Sequence, residues 1–122
     1  MRKINWGVLG AARIAINKVI PALQASQLGT VAAIASRTLV SAQAAAQRMK
    51  IPRAHGSYEA LLADPGIDAV YIPLPNHLHV PWTIRALEAG RHVLCEKPIG
   101  LDSGEARQLV EAARRFPRLK VM

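Results

Sequence analysis

The stretch Gly7-Val8-Leu9-Gly10-Ala11-Ala12-Arg13-Ile14-Ala15 decides the fold, because it joins an apolar run to a segment of helical periodicity. Read from Gly10, its small residues follow the spacing G-x-A-x-x-A, a variant of the dinucleotide-binding fingerprint G-x-G-x-x-G/A. Gly10 is expected to make the tight turn, and Ala12 stands where the backbone approaches a pyrophosphate. Ala15 is small enough for the helix to lie against the strand. A strand–helix turn of small residues that binds no ligand is the alternative interpretation.

Short apolar runs alternate with helical segments along the rest of the chain. Strands are predicted at residues 4–9, 30–35, 68–72, 91–95 and, only just begun, 119–122. Helices are predicted at residues 13–25, 39–49, 57–63, 77–89 and from about 102 onward. Pro21 is expected to bend the first helix or divide it into two pieces. This alternation predicts one α/β domain over residues 1–122, a doubly wound parallel sheet of the Rossmann type.

Composition excludes several classes of protein. The 122 residues are 51% hydrophobic, which predicts a packed core rather than a disordered tail. A single cysteine excludes an internal disulfide and a zinc site of several cysteines. Because no apolar run approaches the roughly 20 residues that cross a bilayer, we expect no membrane partner and a cytoplasmic location. The formal charge of +8 favours phosphorylated ligands, and no motif of a specific nucleic-acid module accompanies it.

The end of the second predicted strand carries Ser36-Arg37-Thr38. A site for NAD usually places Asp or Glu there, where the carboxylate accepts hydrogen bonds from the ribose hydroxyls. Arg37 can instead pair with a 2′-phosphate and lie over the adenine, while Ser36 and Thr38 can donate to phosphate oxygens. This segment therefore favours NADP over NAD, with NAD as the alternative. Helix capping is the other interpretation of the two hydroxyl side chains.

Two further clusters follow predicted strands, at the edge where parallel sheets bind ligands. The first is Pro73-Leu74-Pro75-Asn76-His77-Leu78-His79, in which we expect His79 to reach a cofactor ribose or phosphate. Helix capping is the alternative for Asn76, and the spacing of the two histidines argues against a metal site. The second is Cys95-Glu96-Lys97-Pro98, whose lysine is a candidate general acid or base near a nicotinamide. An ion pair in a surface loop is the alternative there.

These clusters, in this order, resemble the N-terminal half of the glucose–fructose oxidoreductase/inositol dehydrogenase (Gfo/Idh/MocA) family. The matching segments are WGVLGAARIA, the SRT tripeptide, DAVYIPLPNHLH and ALEAGRHVLCEKPIG. The resemblance implies an oxidoreductase that uses a pyridine nucleotide and acts on sugars, polyols or related alcohols, with a homo-oligomer as a further expectation. It also implies the cofactor-binding residues, with Lys97 as the catalytic residue. The implied cofactor-binding set is Gly10, Ala11, Ala12, Arg13, Ile14, Ser36, Arg37, Thr38, Leu74, Asn76, His79, Glu96, Lys97 and Pro98.

The length departs from the family's pattern. Family members continue for roughly twice this length or more, into a second α/β domain that supplies much of the substrate pocket. We therefore expect the chain to lack that domain and to be cut within its last strand, so that it binds cofactor with little or no turnover. A stand-alone nucleotide-binding or sensor module without catalysis is the alternative function.

Overall fold

Five short parallel strands form a single sheet in the structure, a computed structural model that describes residues 2–122. Their order across the sheet is β3-β2-β1-β4-β5, so the chain order reverses at the central strand β1. Ligands of doubly wound sheets bind in the crevice at that reversal, outside the carboxyl ends of the strands. The strands are β1 (Ile4–Leu9), β2 (Gly29–Ala35), β3 (Arg53–His55), β4 (Ala69–Ile72) and β5 (His92–Cys95).

Helices connect the strands and cover both faces of the sheet. They are α1 (Ile20–Ala25, preceded by a π-helical turn at Ala15–Val19), α2 (Leu39–Met49), α3 (Tyr58–Leu62), α4 (His79–Glu88, preceded by a 3-10 turn at Asn76–Leu78) and α5 (Ser103–Arg115). This architecture confirms the predicted doubly wound α/β fold. Among residues 2–122, no helix has the length and apolar character that crossing a bilayer requires.

Successive residues of the central strands point into two separate cores, as the alternation of side chains along a strand requires. On one face, Val8 packs in a cluster with Ala15 of the first helical segment and Ala45 of α2. On the other face, Leu9 packs with residues of α3, α4 and α5. The full burial of Ala15 agrees with its predicted role of letting the helix lie close to the sheet.

The first helix shows how Pro21 is accommodated. The expected bend or division takes the form of a π-helical turn over Ala15–Val19, which leads directly into α1 with Pro21 in its first turn. Proline lacks an N–H group and its ring crowds the carbonyl four residues earlier. A wider turn just before the proline is one way in which a helix relieves that conflict.

Two other elements differ from prediction. Strand β3 was not predicted, because its sequence Arg-Ala-His carries no apolar alternation and pairs only at the edge of the sheet. The predicted helix from residue 77 begins as a 3-10 turn and becomes α-helical at His79. Among residues 119–122, which were predicted as a strand, Val121 forms a single parallel bridge with Val93.

Candidate functional site

A cleft of about 460 Å³ opens at the carboxyl edge of the sheet, where the loops after β1, β2 and β4 meet. This is the edge at which the predicted binding residues were expected to come together. The lining residues are Gly10, Ala11, Ala12, Ser36, Arg37, Ser41, Tyr58, Pro73, Leu74, Pro75, His77 and Leu78.

Gly10 forms the tight turn at the base of the cleft. Its φ of +104° lies in the region that favours glycine, and its backbone N–H donates to the carbonyl of Ala35 over 2.8 Å. A β-carbon at this position would stand 3.1 Å from Cδ2 of Leu74. The turn is therefore shaped for a residue without a side chain, as a close approach between backbone and ligand requires.

The helical segment after this turn begins without a side-chain cap. The Ala12 carbonyl accepts the first intrahelical hydrogen bond, from Ile16, at 3.0 Å. Uncapped amide groups at a helix start favour an anion, both as donors and through the helix dipole. Ile14 is exposed, and Arg13 lines an adjoining hollow together with Arg48. Positive charge therefore borders the turn where a diphosphate would lie.

The segment after β2 presents an unpaired cation beside hydroxyl groups. Arg37 is exposed, and among residues 2–122 its guanidinium has no ion pair. The Ser36 hydroxyl donates to the Ser41 hydroxyl over 3.2 Å. Thr38 caps α2, since its side-chain oxygen accepts a hydrogen bond from the Ser41 backbone N–H at 3.2 Å. The capping interpretation of Thr38 is therefore confirmed, while Ser36, Arg37 and Ser41 line the cleft.

The loop after β4 separates residues that were predicted together. Leu74 lines the cleft, and Asn76 is exposed without a capping hydrogen bond, so the capping interpretation of Asn76 is wrong. His79 is 1% exposed. Its Nε2 lies 2.7 Å from the carbonyl oxygen of Leu74, and its Nδ1 lies 2.6 Å from that of Pro98. The ring thus directs both nitrogen atoms at backbone carbonyls, which leaves neither for the expected contact with a ribose or phosphate.

The loop after β5 holds a free lysine between two anchored neighbours. Glu96 accepts a 2.7 Å hydrogen bond from the hydroxyl of Tyr71, and within residues 2–122 it forms no ion pair with Lys97. Burial, together with that carboxylate, raises the pKa of Tyr71, which keeps the hydroxyl protonated and able to donate. Lys97 is exposed, has no ion pair among the described residues, and is joined to Pro98 by a cis peptide bond. The ion-pair interpretation of this loop is wrong.

Sequence reasoning missed two polar cleft residues, Ser41 and Tyr58, and gave no binding role to a third, His77. Tyr58 follows the carboxyl end of β3, and recognising that strand would have pointed to it. Its ring packs edge-to-face on Trp82, with 5.1 Å between ring centroids, which fixes it in the wall of the cleft. Ser41 lies in the first turn of α2, three residues after the N-cap Thr38, and that position was the available signal for it.

A larger hollow of about 590 Å³ lies away from this edge, and long side chains of α5 form much of its rim, Arg114 and Arg115 among them. It holds none of the predicted binding residues. The geometry of the turn at Gly10 and the strand-end loops gathered around it make the smaller cleft the candidate site.

The sequence matches the oxidoreductase family with an NAD-binding Rossmann fold over residues 4–121. An uncharacterised oxidoreductase of Rhizobium meliloti is 54% identical over 118 residues, which are 97% of this chain and 35% of the relative. The NADP⁺-dependent D-xylose 1-dehydrogenase 2 of Haloferax volcanii is 55% identical over 100 residues, 82% of this chain and 30% of the relative. The chain therefore spans about a third of the length of these relatives.

The fold also matches solved structures of this family. The 3-ketoreductase KijD10 from Actinomadura kijaniata, solved in complex with TDP-benzene and NADP, superposes with a TM-score of 0.92 at 44% identity. The match covers 99% of this chain and 38% of the ketoreductase. An NAD-binding oxidoreductase from Klebsiella pneumoniae is 30% identical with a TM-score of 0.84, over 99% of this chain and 34% of that structure. The chain therefore belongs to the Gfo/Idh/MocA oxidoreductase family, and it corresponds to the family's NAD-binding Rossmann domain.

Proposed function

We propose that this chain is the NADP-binding domain of an oxidoreductase that transfers hydride between the nicotinamide and a sugar, polyol or related alcohol. The observation that carries the proposal is the exposed Arg37 beside Ser36 at the carboxyl end of β2, with no carboxylate at that strand end. Two relatives support the choice of cofactor, since one is an NADP⁺-dependent xylose dehydrogenase and the other was solved with NADP.

The diphosphate would lie against the turn at residues 10–14. Gly10 offers no side chain there, and the amide groups of Ala11, Ala12, Arg13 and Ile14 surround an uncapped helix start. The methyl group of Ala12 keeps the diphosphate slightly farther from the backbone than glycine would. The adjacent positive charge of Arg13 offsets part of that loss.

The 2′-phosphate would lie between Arg37 and the hydroxyl pair of Ser36 and Ser41. A guanidinium can donate two parallel hydrogen bonds to a phosphate while its flat face covers the adenine. The two serine hydroxyls are 3.2 Å apart, so one phosphate oxygen can accept from both once they turn toward it. Thr38 contributes indirectly in this proposal, by fixing the start of α2.

The nicotinamide of NADP would accept or donate the hydride, and the chain's own residues would orient the cofactor. Leu74 and Asn76 would border the nicotinamide ribose, and the loop Glu96-Lys97-Pro98 would border the ring. Lys97 is proposed as the catalytic residue that gives or takes the proton on the substrate oxygen, because its ammonium group is exposed and unpaired in the described structure.

The isolated chain is expected to bind cofactor with little or no turnover. Hydride transfer needs both reactants held in near-attack geometry, and the chain spans only 35% of a relative's length. We therefore propose a sugar-type substrate and self-association for the whole protein. A cytoplasmic location completes it, in keeping with one free thiol and no disulfide.

Calorimetric titration of the chain with NADPH and with NADH tests the proposal. We expect NADPH to bind at least roughly tenfold more tightly, since the extra phosphate gains charge-assisted hydrogen bonds. Equal affinities would contradict the NADP assignment, and absence of binding by either would contradict the cofactor assignment altogether.

A further inference from the structure

The loop that carries Lys97 is held from one side by a buried tyrosine. Tyr71 of β4 is 1% exposed, and its hydroxyl donates to the Glu96 carboxylate over 2.7 Å. The Glu96 backbone N–H donates in turn to the carbonyl of Ile72 at 3.1 Å. Glu96 is thus fixed to β4 through both its side chain and its backbone.

The other side of the same loop is held by a buried histidine. His79, the first residue of α4, directs Nδ1 at the carbonyl of Pro98 and Nε2 at the carbonyl of Leu74. A carbonyl oxygen only accepts, so the ring donates to both when both nitrogens are protonated and to one of them when it is neutral. Since Leu74 lines the cleft, the imidazole joins the cleft wall to the lysine loop.

Lys97 is the residue between these two anchors. Both of its chain neighbours are held by side chains that are 1% exposed, whereas its own ammonium group is unpaired among residues 2–122. A free charged group on a fixed backbone is suited to meeting a ligand in a defined place. A buried tyrosine hydroxyl and a buried imidazole each need hydrogen-bond partners, and here partners of both lie on either side of this lysine.

We propose that Tyr71 and His79 are positioning residues that set the Lys97 ammonium group against the nicotinamide half of the cofactor. The proposal rests on the proposed function of the cleft. It assigns His79 an action through the lysine loop instead of direct contact with cofactor, and it gives Tyr71 a role that its place in the core does not suggest.

The test compares two ligands on the full 122-residue chain. NADPH carries the nicotinamide half, whereas adenosine 2′,5′-bisphosphate carries only the adenosine, the 2′-phosphate and a single 5′-phosphate. We expect Tyr71→Phe and His79→Gln each to lower the affinity for NADPH roughly three- to tenfold. The affinity for the bisphosphate should stay within about twofold of wild type. Tyr71→Phe keeps the ring and removes only one hydroxyl. The proposal can therefore still be tested with this variant if His79→Gln fails to fold.

A double-mutant cycle with Lys97→Ala separates positioning from packing. If Tyr71 acts through Lys97, Tyr71→Phe has little further effect on NADPH affinity once Lys97 is alanine. An equal loss in both backgrounds, or a parallel loss of bisphosphate binding, would overturn the proposal. So would unchanged NADPH affinity in Lys97→Ala itself.

His92→Gln is the matched control, because it removes an imidazole at the opposite end of β5 and should keep both affinities. Failure of the wild-type chain to bind either ligand would contradict the proposed function of the cleft, and the positioning role with it. If the wild-type chain binds both ligands and the Tyr71 and His79 variants keep its affinity for NADPH, only the positioning role is overturned.

Discussion

The side chain of Leu74 packs against the backbone of Gly10, and its Cδ2 atom lies 3.1 Å from the position that a β-carbon on Gly10 would occupy. The contact joins the turn after β1 to the loop after β4, the two segments between which the cleft opens. A side chain at Gly10 would meet both this contact and an unfavourable φ of +104°. The shape of the cleft therefore depends on glycine at this one position.

Gly10→Ala is predicted to lower both stability and cofactor affinity. The strained φ costs roughly 1–3 kcal/mol, and the displaced Leu74 narrows the cleft, so NADPH affinity should fall at least about tenfold. Chemical denaturation and calorimetric titration measure the two effects.

Gly90→Ala is the matched control for this variant. Gly90 also has a positive φ, of +82°, but nothing lies within 4 Å of its β-carbon position. The Gly90→Ala variant should therefore be less stable than wild type, while its affinity for NADPH stays unchanged. Comparable loss of affinity in both variants would show that backbone strain, rather than the shape of the cleft, is responsible.

Arg37→Ala is predicted to remove the preference for NADPH. The variant loses a charge-assisted, bidentate contact with phosphate, so the affinity for NADPH should fall roughly 10- to 100-fold. The affinity for NADH should stay within about twofold of wild type. Arg118→Ala, which removes an exposed arginine elsewhere, should change neither affinity. A similar fall for both nucleotides in Arg37→Ala would mean that Arg37 makes no contact with the 2′-phosphate.

Arg91→Ala is predicted to be strongly destabilising although Arg91 lies outside the cleft. Its guanidinium donates to the carbonyls of Leu62, Asp64 and Ile67 at 2.8–3.2 Å, which ties the turn after α3 to the start of β5. Leaving these carbonyls without a donor should cost roughly 2–3 kcal/mol in denaturant unfolding. Arg107→Ala, on the exposed face of α5, should stay within about 0.5 kcal/mol of wild type, and equal stability of the two variants would contradict the prediction.

Asp64 makes stability depend on acid pH. Burial alone would raise the pKa of its carboxyl, but hydrogen bonds from Arg53 and the Gly66 N–H, with a contact to His55, outweigh burial and lower the pKa to about 2. Because the pKa is lower in the folded than in the unfolded chain, the stabilisation is complete above about pH 5 and is lost progressively as the pH falls toward 2. It amounts to at most about 2–3 kcal/mol.

Denaturant unfolding between pH 2 and pH 6 measures this effect in the wild type and in Asp64→Asn. The asparagine variant should be less stable near pH 6 and should lose less stability on acidification. Parallel curves for the two proteins would show that other carboxylates account for the acid sensitivity.

Local sequence signals were enough to predict most of the fold. Serine and aspartate directly before a helical segment are typical N-caps, and Ser57 accepts from the Ala60 N–H and Asp102 from the Glu105 N–H. Strand β3 escaped prediction, because three polar or small residues at a sheet edge have no periodicity to detect. Without β3, nothing directed attention to Tyr58 as a cleft residue.

The contacts of His79 show what the sequence could not predict about the site. Its two carbonyl partners lie 5 and 19 residues away along the chain and are backbone atoms, so no residue type marks them. A histidine after a strand end is equally consistent with contacting a ligand and with holding the loops around it. Only the three-dimensional arrangement distinguishes the two roles.

A crystal structure of the chain with NADP tests the central claim most directly. We predict the diphosphate against residues 10–14, the 2′-phosphate beside Arg37 and the two serines, and the nicotinamide toward Lys97. Adenosine bound elsewhere, such as in the hollow beside α5, or a 2′-phosphate remote from Arg37, would contradict the account.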